Sequence, residues 1–107
     1  MLYTNDAYTP YEAEVVEFIQ EHHDIFTIRL KFTDPDLDSK YFFRPGQFNM
    51  IYLYGIGEVA ISIVNDRNHQ KGRFEHTIQV VGRITKGMAK LQAGDKVGIR
   101  GPFGTAW

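Results

Sequence analysis

Four glycine-marked segments, each beside a run of β-type residues, leave this chain room for short strands and tight turns and little else. They are Arg44-Pro45-Gly46-Gln47-Phe48, Gly57-Glu58-Val59-Ala60-Ile61-Ser62, Gly82-Arg83-Ile84-Thr85-Lys86-Gly87, and the stretch from Gly94-Asp95 to Gly101-Pro102-Phe103-Gly104. Glycine and proline supply the backbone angles that turns need and strand interiors reject. Upstream of them lies the cleanest pattern in the chain. Phe26, Ile28, Leu30 and Phe32 alternate with Thr27, Arg29 and Lys31, which predicts a strand with one buried face. Residues 11–20 read as its hairpin partner across Glu21-His22-His23-Asp24. The alternation breaks at Val15-Val16, which marks a bulge or a two-sided strand.

Further strands are predicted at 47–54, 59–64, 74–82 and 96–100, with Phe74, His76, Ile78 and Val80 on one face. One helix is predicted. Thr85 serves as its N-cap, Met88 and Leu91 form its apolar stripe, and Gly94 closes it. Residues 33–40, with Asp34, Asp36 and Asp38 around Pro35, read as a solvated loop, as do residues 65–73. Residues 1–10 read as a loose lead-in. The predicted fold is all-β: a six-stranded antiparallel Greek-key barrel with one short helix, occupying residues 11–107 as one domain.

The chain has 107 residues, 43% of them hydrophobic, so it supports one packed core and not two. Twelve Lys and Arg stand against 13 Asp and Glu, and this balance argues against a nucleic-acid partner, which requires a clustered basic face. With no cysteine, the chain has no disulfide, zinc–thiolate site or iron–sulfur ligand of its own. The N-terminus has neither a basic region nor an apolar stretch of signal-peptide type, and no apolar run approaches membrane-spanning length. The expected location is the cytoplasm, with no membrane partner.

Two segments carry candidate chemistry. On the strand through Val59, Ala60, Ile61 and Ser62, an outward Ile61 would offer a flat apolar surface to a planar ring. Ser62 would add a hydroxyl and an amide at the ring's polar edge. Taken alone, the strand reads as ordinary core with an incidental serine. The turn from Gly82 into Thr85, Lys86, Gly87 and Met88 would set free amides at a helix start, where they attract phosphate. Arg83 or Lys86 would add charge, and Gly87 would admit close approach. Taken alone, this turn reads as an ordinary capped helix.

In their joint order, these segments resemble the flavin-binding domain of the ferredoxin–NADP reductase superfamily. The likeness points to its electron-transfer branch: hydrogenase and sulfhydrogenase gamma subunits, and the electron-transfer subunits of anaerobic sulfite reductase and of dihydroorotate dehydrogenase. It covers Tyr11 to Trp107. It implies FAD as cofactor, with FMN the lesser alternative. By that likeness Val59, Ala60, Ile61 and Ser62 meet the flavin, Gln79, Val80 and Val81 flank its ribityl and adenosine parts, and Thr85, Lys86, Gly87 and Met88 hold the diphosphate. The family's arginines are replaced by Val59 and by Gln79 or Val80, so Arg83 and Lys86 become the substitutes. The family continues past the Gly-Pro-Phe-Gly turn into a nicotinamide-binding domain, absent from a chain ending at Trp107. NAD(P)H would then act only through a partner domain, with an iron–sulfur partner for the electrons and a homodimer as a further expectation. The rival reading is a barrel that has lost flavin and serves a protein complex.

The four histidines read as surface or packing residues. His22 and His23, adjacent, are predicted to face opposite sides, and His76 is predicted to be a hydrogen-bonded core histidine. Glu58 reads as a turn residue.

Overall fold

A computed structural model describes residues 9–64 and 73–104. Residues 65–72 of the loop expected at 65–73, and residues 1–8 of the lead-in expected at 1–10, lie outside the described residues. Among the described residues there are six strands: β1 (Tyr11–His22), β2 (Ile25–Phe32), β3 (Phe48–Leu53), β4 (Gly57–Ser62), β5 (Phe74–Gln79) and β6 (Lys96–Phe103). They form one antiparallel sheet in the order β4-β3-β6-β1-β2-β5. The sheet rolls until its edge strands meet at a single bridge, Ile63 to His76. The barrel is therefore joined there and open along the rest of the β4–β5 seam.

The period-two pattern of β2 fixes the interior, since Phe26, Ile28, Leu30 and Phe32 are all buried. They pack with Val15, Ile51, Phe74, Ile78, Val97 and Ile99 in one core. The β1–β2 register shifts between Val15 and Glu17, so the break at Val15-Val16 is a bulge.

Among the described residues two helices stand where one was expected: α1 (Pro35–Lys40) and α2 (Arg83–Met88). Helix α1 occupies the segment expected to be loop. The Asp34 side chain accepts from the amide of Asp36 at 3.0 Å, proline stands at the first turn, and Lys40 reaches Asp36 at 3.1 Å. Leu37 alone enters the core, too small an apolar signal to stand out in the sequence. Helix α2 starts earlier than expected. Gly82 is its N-cap, and Thr85 stands at the third helical position.

The adjacent histidines also differ from expectation. They straddle the β1–β2 turn, where the strand's alternation has ended, and their ring centroids lie 4.4 Å apart.

Candidate functional site

The pleat decides what the open seam presents. Val59, Ile61 and Ile63 share a row with Ile51 and Asn49 across the β3–β4 pairing and pack on the core. Ala60 and Ser62 occupy the outward row and are exposed. Ile61 therefore does not face outward; its half-buried side chain is committed to packing, and Ala60 supplies the outward apolar surface on this strand.

Backbone direction alternates in the same way. The Ile63 amide donates to Gln47 at 2.8 Å, toward β3, whereas the Val64 amide donates to Glu75 at 3.0 Å, across the seam. In an antiparallel strand each residue points its N–H and C=O to the same side. Glu58, Ala60 and Ser62 thus turn both groups toward the seam, as do Thr77 and Gln79 on β5. Continuing the Ile63–His76 register sets Ala60 opposite Gln79 and Val59 opposite Val80. Among the described residues no ladder bond joins these pairs. Two segments singled out in the sequence therefore line opposite banks of one gap, with backbone groups turned toward it.

Helix α2 closes the far end. It packs on the β3–β4 turn, where the Arg83 guanidinium donates to the Ile56 carbonyl at 2.9 Å. From Gly57, beside α2, to Ser62 is about 17 Å at ordinary strand rise. The helix start is open: a Cβ on Gly82 would meet nothing within 4 Å. The amides of the first helical turn, those of Arg83, Ile84 and Thr85, have no acceptor within the helix itself. Thr85 itself is buried. Its hydroxyl accepts from the amides of Val81 at 2.9 Å and Gly82 at 3.0 Å, and so shapes the turn without pointing outward.

The other expected contacts divide. Lys86 and Gln79 are exposed, and Val81 is 75% exposed. Val80 is half-buried, with its amide held by the Asp24 carbonyl at 2.8 Å. Met88 is fully buried, backbone included, so it offers no surface to a ligand. Gly87 faces the hairpin: a Cβ there would stand 2.7 Å from Leu53 Cδ2. Its small size thus serves helix packing.

The Glu58 pairing, the depression it lines and the partners of His76 were not read from the sequence. Glu58 is a strand residue, and both its oxygens receive Arg100 at 2.8 Å, which holds the carboxyl below its usual range. This pair lines an open depression with Pro10 and Tyr52. His76 itself is buried. His76 Nδ1 lies 3.0 Å from the Ser62 carbonyl, its Nε2 lies 3.2 Å from Asn49 Nδ2, and Asn49 Oδ1 accepts from the Tyr41 hydroxyl at 2.8 Å. The core placement expected for His76 is correct. Burial pushes its imidazole down to about 4 against the hydrogen bond to Ser62, so it is neutral at pH 7.

The described residues thus form a split antiparallel barrel with an open seam and a helix start at one end. Residues 12–107 match the model of the oxidoreductase FAD-binding domain, and the chain belongs to that family. It is 36% identical to sulfhydrogenase 1 subunit gamma of Pyrococcus furiosus, over all of this chain and 36% of that one. It is 38% identical to a probable dihydroorotate dehydrogenase B (NAD(+)) electron transfer subunit of Methanocella arvoryzae, over 92% of this chain and 33% of that one. The ferredoxin reductase in carbazole 1,9a-dioxygenase superposes with a TM-score of 0.75 at 29% identity, covering 90% of this chain and 29% of that one. The chain thus spans about a third of the length of these relatives. No helix among the described residues is long and apolar enough to cross a membrane.

Proposed function

We propose that this chain is the flavin module of an NAD(P)H-linked electron-transfer oxidoreductase and that it holds FAD along the β4–β5 seam. The carrying observation is the pair of diverging strand edges between the Ile63–His76 bridge and the start of α2. The residues fit the group. Ala60 and Ser62 keep the outer wall low, the seam amides offer donors, and the start of α2 suits a diphosphate. Arg83 and Lys86 stand near that start in place of the missing arginines.

Bound FAD would supply the hydride and one-electron chemistry. The chain's own work is to bind and orient it, and no side chain needs to move a proton. The named relatives are a sulfhydrogenase subunit and a dihydroorotate dehydrogenase electron-transfer subunit, which favours a protein partner. Nicotinamide binding and an iron–sulfur acceptor would come from that partner or from a further domain. Exposed Val81 at the seam's end suits a covering surface, with a homodimer as the other occupant.

Reconstitution tests the reading. Protein mixed with FAD and desalted should stay yellow and melt at a higher temperature than the apoprotein. Colourless protein with no flavin-induced shift would favour the flavin-free binding module, for which the valines at positions 59 and 80 argue.

A further inference from the structure

We propose that His76 is a positioning residue for the flavin, latching the two banks of the seam and fixing the Ser62 peptide that faces it. The inference rests on the FAD reading above. Hydrogen-bond roles along the buried chain are forced. A carbonyl can only accept, so His76 Nδ1 carries the proton to Ser62. In the neutral ring Nε2 must then accept, which requires the Asn49 amide to face it with its nitrogen. Asn49 Oδ1 is left to accept from Tyr41, as the geometry has it. The chain is therefore consistent in only one tautomer, with the His76, Asn49 and Tyr41 side chains wholly buried.

The latch crosses the seam. His76 belongs to β5, Ser62 to β4 and Asn49 to β3, so one side chain ties the edge strands where the ladder contributes a single bridge. The Ser62 N–H, in the preceding peptide, lies on the same side of its strand as the carbonyl that His76 holds. Holding the carbonyl restrains the Ser62 backbone dihedrals, and through them the direction of that donor at the closed end of the flavin groove. A histidine that merely filled the core would leave the tautomer and the Ser62 peptide independent of each other.

The test compares His76→Asn with His76→Gln in the full chain reconstituted with FAD. The asparagine amide reproduces the Nδ1 position, whereas the glutamine amide reproduces Nε2. Both should lower the melting temperature. His76→Asn should keep the flavin absorption bands and FAD affinity near those of the parent. His76→Gln should shift the bands and weaken FAD by about tenfold, the scale of one lost hydrogen bond. Nitrogen-15 shifts of the parent imidazole should report the Nδ1–H tautomer with or without flavin. Equal affinity and spectra in the two folded variants, or an Nε2–H tautomer, would overturn the proposal. A parent that shows the Nδ1–H tautomer but binds no FAD would sink the functional reading instead, leaving the latch as a purely structural tie and ending its flavin role.

Discussion

A methyl group on Gly87 would stand 2.7 Å from Cδ2 of Leu53 and 3.1 Å from Cδ1 of Ile56. The glycine therefore lets α2 lie against the β3–β4 turn, which sets the open end of the seam. Gly87→Ala should gain up to about 1 kcal/mol of helix propensity and lose roughly 1–3 kcal/mol to overpacking. A net loss of about 1 kcal/mol, read by urea denaturation, is the expected result. If Gly87 instead served ligand approach, the variant would keep its stability and lose FAD binding.

Thr85 holds the turn into α2 through the two amides it accepts, from Val81 and Gly82. Thr85→Val removes that acceptor at nearly constant volume and should destabilise by about 1–2 kcal/mol. Thr85→Ser should retain most of the stability. Equal denaturation midpoints for the two variants would count against this role.

The acid limb of stability should carry the signature of His76. Its imidazole titrates at about 4 when folded and near 6.5 when free. Below 6.5 the unfolded chain takes up a proton that the folded chain refuses, so stability falls as pH drops from about 6.5 to about 4. The effect amounts to roughly 3 kcal/mol over that window. His76→Phe should flatten the melting-temperature profile between those pH values, and an unchanged slope would be inconsistent with a buried neutral imidazole.

Ala60 is exposed on the outward row of β4, opposite Gln79. Ala60→Glu should leave stability within about 0.5 kcal/mol, as surface substitutions do. It should weaken FAD by about tenfold or more, since it sets a carboxylate beside the flavin groove and its diphosphate. Isothermal titration with FAD decides, and undiminished affinity would place the cofactor elsewhere.

Much of this was legible from residue types alone. The alternation of Phe26 to Phe32 gave β2 its face, and the double valine gave β1 its bulge. An apolar face interrupted by His76 marked a histidine that must be hydrogen-bonded inside. What differed has a physical cause. Ile61 looks the same in sequence whether its side chain faces outward or packs on the core, and the partner across space decides. Helix α1 was hidden because aspartates that signal solvent also cap and charge a helix start.

By itself the sequence determined the strands, the turns and the family, because period-two patterning and glycine placement are local properties that survive in any context. Only the tertiary structure decided which edges stay unpaired, which face of β4 is outward and which carbonyl His76 holds. Those depend on how far the sheet rolls before β4 meets β5, a sum of small twists over six strands that no single segment encodes.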